Sequence, residues 1–263
     1  MNSTGHTLNV AYSDNGKGMP VVFLHAFPLN RAMWVPQITA LCGRYRTIAV
    51  DLRGHGQSPL SQVYTVEDLA SDVHALLDRL SIERAAFVGL SMGGYVLMAF
   101  YRRFADRVVG LILADTRAQA DSPEAAANRV AMIRTAESDG AGAIADIMVS
   151  RLLSPDSLKH RPELVDSVRA MIVKTPVTTI TADLRAMLQR PDSSPLLDAI
   201  RCPTLILVGE LDRGTPPADA HYMAERIRGA TWRIIPAAGH LSNLEQPDLF
   251  NDALRSFLDG IQR

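Results

Sequence analysis

The segment Gly89-Leu90-Ser91-Met92-Gly93 sets a hydroxyl between two glycines, after the apolar run Ala86-Phe87-Val88 and before Gly94-Tyr95-Val96. A nucleophile on a sharp strand-to-helix turn is held in strained backbone, and flanking glycines let strand and helix approach closely. Serine is weakly nucleophilic at its own pKa, but a helix starting at this point supplies amide N–H groups and a positive dipole end that favour negative charge nearby. The chemistry implied is attack on a carbonyl carbon, provided that a base stands within reach.

Seven histidines offer themselves as that base. His240 is the candidate because Ala237-Ala238-Gly239-His240 is a small-residue loop just after the last strand signal, from which an imidazole reaches over the sheet edge. His6 lies near the terminus, and His74, His160 and His221 fall in helical or inserted segments without such a loop. The base needs a carboxylate to fix its tautomer and stabilise the imidazolium. Asp212, in Val208-Gly209-Glu210-Leu211-Asp212, follows a strand and gives the chain order Ser, Asp, His. Glu210, Asp51 and Asp115 compete, and Asp115, at the end of an earlier strand, is the strongest rival. The oxyanion of a tetrahedral intermediate needs pre-aimed donors. Two backbone amides suggest themselves, those of Met92, next to the nucleophile, and of Phe27 in His25-Ala26-Phe27-Pro28. Their side chains either line an apolar acyl pocket or serve as packing.

These loops need a scaffold that holds them at one edge. Apolar, β-branched runs at 8–12, 21–25, 47–51, 86–90, 108–114, 204–208 and 232–235 alternate with helical patterns, the mark of crossover units on a mainly parallel sheet with helices on both faces. The first run reads as an antiparallel entry strand joined to the second by the short turn Asp14-Asn15-Gly16-Lys17-Gly18. Thr65 with Asp68 forms a variant capping box before Leu69, Val73, Leu76, Leu77 and Leu80 at helical spacing, and Ser91 opens a helix reaching about Phe104.

The alternation stops over 117–198, where Ser122-Pro123, Arg161-Pro162 and Thr175-Pro176 mark helix starts. The expected organisation is a core of 1–116 and 199–263 with a helical lid at 117–198 covering Ser91. Arg134, Arg151, Lys159 and Lys174 in this lid read as solvated charges, with binding of a carboxylated lactone as the alternative.

At 263 residues, 47% hydrophobic and 21% charged, the chain is long enough to bury a full core. A formal charge of -1 argues against nucleic acid or an anionic membrane as partner. The opening MNSTGHTLNV lacks a basic segment followed by an apolar run, so a cytoplasmic location is expected. Two cysteines, Cys42 and Cys202, lack disulfide or zinc spacing and read as buried thiols.

HAFP at 25–28, DLRGHGQS at 51–58, GLSMGG at 89–94 and AGHLSNLEQP at 238–247, in this order, resemble the α/β-hydrolase superfamily in its serine-nucleophile branch, over about residues 12–257. SMGGYVLMAF, LADTRAQADSPEAAANR and HAFPLNRAMW are most similar to 3-oxoadipate enol-lactonases and related small carboxylesterases. The resemblance implies an α/β-hydrolase fold and hydrolysis of a small ester or lactone through an acyl-enzyme, without metal or organic cofactor. It also implies that Arg53, His55 and His25 orient backbone and are not catalytic. Ala26 departs from the glycine of many relatives, a methyl group expected to narrow the oxyanion loop or alter its flexibility. Ser91 sets the chain apart from members with an aspartate nucleophile. Two other classes stay open. The same residues can serve cofactor-free perhydrolysis of the haloperoxidase kind, thioester cleavage or C–C bond cleavage, and the fold can serve a non-catalytic ligand receptor.

Overall fold

A computed structural model describes residues 7–261, and His6 lies outside them. Its sheet has seven strands in the order β1-β3-β2-β4-β5-β6-β7. They are β1 (Tyr12–Asn15), β2 (Pro20–Leu24), β3 (Arg46–Val50), β4 (Ala85–Leu90), β5 (Val108–Ala114), β6 (Thr204–Gly209) and β7 (Thr231–Ile235). Only β1 runs antiparallel, against β3; the other pairings are parallel. Central strands covered on both faces read as unbroken apolar runs, and every residue of β4 and β6 is buried.

The helices are α1 (Val35–Leu41), α2 (Val66–Arg79), α3 (Met92–Phe104), α4 (Pro123–Leu152), α5 (Pro155–His160), α6 (Pro162–Val173), α7 (Val177–Gln189), α8 (Ser194–Leu197), α9 (Pro217–Arg226), α10 (Ser242–Glu245) and α11 (Pro247–Ile261). Right-handed crossovers fix their sides of the sheet. The β2-to-β3 step runs opposite to the steps from β3 to β4, β4 to β5 and β6 to β7, so α1 falls on one face and α2, α3 and α9 on the other. Helix α11 packs on α1 and shares its face. Trp34, Phe23, Phe87, Phe100 and Phe250 fill the two resulting layers and are fully buried. The capping box forms as expected, with Thr65 Oγ1 accepting from the Asp68 amide and Asp68 accepting from the Thr65 amide at 2.8 Å.

Two expectations need correction. The first strand lies at Tyr12–Asn15, not 8–12, and pairs with β3 rather than forming a hairpin with β2. Asp14 pairs with Ile48 of β3 and also grips Arg46 at 2.7 Å, while the Leu8 amide donates to Asp72 of α2 at 2.7 Å. Gly16, at φ 81°, then packs against the carbonyls of Cys42 and Tyr45, which carries the chain across the end of the sheet into β2. Cys42 and Cys202 are half-buried, not buried.

Between β5 and β6 the chain builds α4 to α8, with α4 packed on α6 and α7. Ser122 and Ser154 cap the first turns of α4 and α5, each next to a proline at N1. Pro176 is itself the N-cap of α7 rather than a first-turn residue. Gly140, at φ 80° and ψ -176°, breaks α4 into two arms. Among the described residues no helix is long and apolar enough to cross a membrane.

Candidate active site

Ser91 stands between the end of β4 and the start of α3 with φ 55° and ψ -112°, a conformation few non-glycine residues adopt. The surroundings hold it there. Its N–H donates to the Ala114 carbonyl at 2.9 Å, and its own carbonyl accepts from Thr116 Oγ1 at 2.8 Å. Gly93 lies so close to the Leu24 carbonyl that a Cβ would overlap it, which explains glycine two residues after the serine.

His240 follows β7 and Asp212 follows β6, and the structure brings both to Ser91. The Ser91 hydroxyl lies 2.8 Å from His240 Nε2, and His240 Nδ1 lies 2.8 Å from Asp212 Oδ2. Asp212 also accepts from the amides of Gly214 and Thr215, at 2.8 and 3.0 Å, and from Thr215 Oγ1 at 2.6 Å. Burial alone would raise its pKa, but the His240 charge and these donors hold it below the usual carboxylate range. Burial would likewise depress His240, and the Asp212 carboxylate reverses that, leaving the imidazole above the ordinary histidine value. The three groups thus form a directed path from hydroxyl to base to counter-charge.

None of the competing carboxylates touches His240. Glu210 accepts from the Ala237 amide, Asp51 holds Arg31 and the Gln57 amide, and Asp115 receives Gly209 N–H and the Ser242 hydroxyl. His25 orients backbone as the resemblance implied, since Nδ1 faces the Ala26 carbonyl and Nε2 accepts from the Leu52 amide, both at 3.0 Å. His55 Nε2 lies 2.7 Å from Asp183 of α7, a carboxylate rather than backbone. Arg53 clasps Asp72 of α2 through two bonds of 2.6 and 2.8 Å and also donates to the backbone carbonyl of Asp68 at 3.4 Å.

The Ser91 hydroxyl opens into a cavity of about 610 Å³. Phe27 lines it beside Ser91 and His240, whereas the Met92 side chain is buried away from it. The amides of Phe27 and Met92 have no hydrogen-bond acceptor among the described residues, which leaves both free to donate. Both arms of α4 face the cavity, one through Asn128, Arg129 and Met132, the other through Met148, Arg151 and Leu152. Tyr95, Met187 and Arg213 complete the walls. Apart from Arg151, these wall residues escaped the sequence because no local spacing links them; only the fold brings them together.

Charge in this cavity is one-sided. Arg129, Arg151 and Arg213 line it, and no aspartate or glutamate does. Asp121 neutralises Arg129 at 2.5 Å and also takes Arg190 at 2.8 Å. Arg151 and Arg213 are exposed and meet no carboxylate among the described residues. Of the cations singled out in the sequence only Arg151 lines the cavity; Arg134, Lys159 and Lys174 are exposed elsewhere.

Residues 19–247 match the alpha/beta hydrolase fold family. 3-Oxoadipate enol-lactonase 1 of Acinetobacter baylyi is 31% identical over 264 residues, with 99% of this chain and 96% of the relative covered. A thermophilic esterase from Thermogutta terrifontis, solved with malate bound, superposes with a TM-score of 0.95 at 40% identity, covering 99% of this chain and 97% of that one. The enol-lactonase from Burkholderia xenovorans LB400 superposes with a TM-score of 0.89 at 31% identity, over 96% and 98% of the two chains.

Proposed function

The chain belongs to the α/β-hydrolase fold family, and on that premise we propose that it hydrolyses a small carboxylic ester or lactone through an acyl-enzyme on Ser91. The observation that carries this reading is the unbroken path from Ser91 Oγ to His240 Nε2 and from His240 Nδ1 to Asp212, each step 2.8 Å. His240 takes the hydroxyl proton as Oγ bonds to the substrate carbonyl carbon, and Asp212 stabilises the imidazolium that results. The negative oxygen of the tetrahedral intermediate accepts from the amides of Phe27 and Met92. Its collapse breaks the bond to the alcohol oxygen, which leaves with the proton from His240; in a lactone the ring opens and both products stay joined. Water, deprotonated by His240, then attacks the acyl carbonyl, and Ser91 departs with its proton restored.

The segment 117–198 serves in this reading as a lid whose α4 arms shape the space for the acyl part. Arg151 and Arg213 favour a substrate that carries its own carboxylate, since nothing acidic in the cavity answers them. The names of the enol-lactonase relatives, which refer to 3-oxoadipate, accord with that charge.

Treatment with a fluorophosphonate is the test. The expected outcome is one covalent adduct, mapped to Ser91, with loss of p-nitrophenyl ester turnover and no adduct in Ser91→Ala. An active enzyme left unlabelled, or labelled elsewhere, would overturn the reading. Rates on esters, lactones and β-diketones then separate acyl transfer to water from C–C cleavage.

A further inference from the structure

The loops that carry Ser91, Asp212 and His240 come from three different strands, and no reacting group links their backbones. A two-residue element that takes no part in the proton path does. β5 ends at Ala114, and Asp115 and Thr116 follow it, both buried. Asp115 Oδ1 accepts from the Gly209 amide at 2.8 Å, three residues before Asp212. Its Oδ2 meets the Ser242 hydroxyl at 2.5 Å, two residues after His240. Thr116 Oγ1 donates to the Ser91 carbonyl at 2.8 Å. Each of the three loops therefore has one side-chain hydrogen bond to the same dipeptide.

We infer that Asp115 and Thr116 are positioning residues, which set the spacing of Ser91, His240 and Asp212 by tying their three loops to the end of one strand. The inference rests on the triad reading above. Asp115 has φ 44°, so it shares with Ser91 a left-handed backbone that persists only where the surroundings over-determine it. A buried carboxylate is costly unless its oxygens are satisfied, and both oxygens of Asp115 are spent on loop backbone or loop hydroxyl, none on a cation. Such a group is costly to keep for packing alone. Asp212 and His240 face it, and Arg117 beyond them is engaged by Asp219 at 3.0 Å. Burial and the Asp212 charge push the Asp115 carboxyl well above the usual carboxylate range. The bridge survives either state, because a protonated Oδ2 donates to the Ser242 oxygen where an ionised one accepts.

The test compares Asp115→Ala, Thr116→Val, Ser242→Ala and the Asp115→Ala/Ser242→Ala double variant on a p-nitrophenyl ester. Displacement of reacting atoms by about an ångström lowers kcat, so an expected loss of about 10- to 100-fold accompanies a KM within about twofold of wild type. The double variant should be no worse than its weaker parent, because both substitutions cut the same bridge. Fluorophosphonate labelling of Ser91 should slow in step with kcat. The inference falls if kcat in Asp115→Ala and Ser242→Ala stays within about twofold of wild type, or if the two losses multiply. Should Asp115→Ala fail to fold, Ser242→Ala decides by the same criterion. Failure of wild-type Ser91 to be labelled counts against the nucleophile assignment, whereas loss confined to the variants speaks to the clamp.

Discussion

The strand-end loops and the helical insertion face one cavity, yet they are held there in different ways. Ser91 is fixed by its N–H on the Ala114 carbonyl at the end of β5, Asp212 by the amides of Gly214 and Thr215 in its own loop, and His240 by Asp212 and Ser91. The wall residues of α4 belong to two helical arms that join at Gly140, where a Cβ would meet nothing within 4 Å. Within the insertion α7 behaves unlike α4. Thr179 Oγ1 donates to the Gly54 carbonyl at 3.1 Å, and Asp183 takes both His55 and Tyr64 at 2.7 Å, so α7 is stitched to the core over successive turns. On the proposed reading the chemistry sits on backbone held by the sheet and the fit to substrate on the arms of α4, and α7 marks the seam between them.

Removing the Asp212 charge strikes the constrained side. Asp212→Asn should lower kcat/KM by about a thousand- to ten-thousand-fold with little change in stability. The same substitution gives a pH test. Asp212 favours protonated His240 and so raises its pKa, and the base works only when neutral. The wild-type acid limb should therefore lie above about 6.5, and in the residual activity of Asp212→Asn it should move to lower pH. A limb that stays put would detach His240 from Asp212.

Cutting the seam should show the reverse balance. Asp183→Ala leaves His55 Nε2 and the Tyr64 hydroxyl buried without a partner, at a cost on the order of 3 kcal/mol. Urea unfolding should report that loss while kcat in mild conditions changes only a few-fold. Substitutions in the walls should alter selectivity rather than chemistry. Arg151→Gln or Arg213→Gln should reduce the preference for a carboxylate-bearing ester over its neutral isostere by about tenfold at low salt, and less at high salt. The smallest effect belongs to Arg134→Ala, whose side chain is exposed off the cavity; kcat/KM should stay within about twofold.

Sequence patterns reach as far as local rules do. Strands β2 to β6 stand within a residue or so of their apolar runs because a parallel strand covered on both faces must be largely apolar, and Ser91, Asp212 and His240 were legible because each stands in a short loop that follows a strand signal. β1 was misplaced because it is defined by antiparallel pairing with β3, Tyr12 beside Val50 and Asn15 beside Thr47, partners more than thirty positions away. The cavity walls were illegible for the same reason, and Arg129 and Arg213 became wall residues only through packing of distant elements. Asp115 was visible as an acid at a strand end, but a carboxylate that holds loops looks the same in sequence as one that holds a histidine.

The insertion departs from β5 and returns in β6, and these strands are direct neighbours in parallel register, Leu111 beside Thr204. Its two ends are therefore pinned a fixed short distance apart by the sheet itself, whatever the chain does in between. Closing a longer excursion between pinned ends costs little, since each doubling of length adds only about 0.6 kcal/mol. A graft that keeps Thr179 and Asp183 of α7 on the core and the Leu152 carbonyl on the Leu241 amide would leave strand pairing and the Ser91, His240 and Asp212 geometry in place while the rest of the segment changes in length. Under the proposed function the molecule offers an engineer a socket, with the reacting groups held by the sheet and the substrate fit set by a segment that can be exchanged in part.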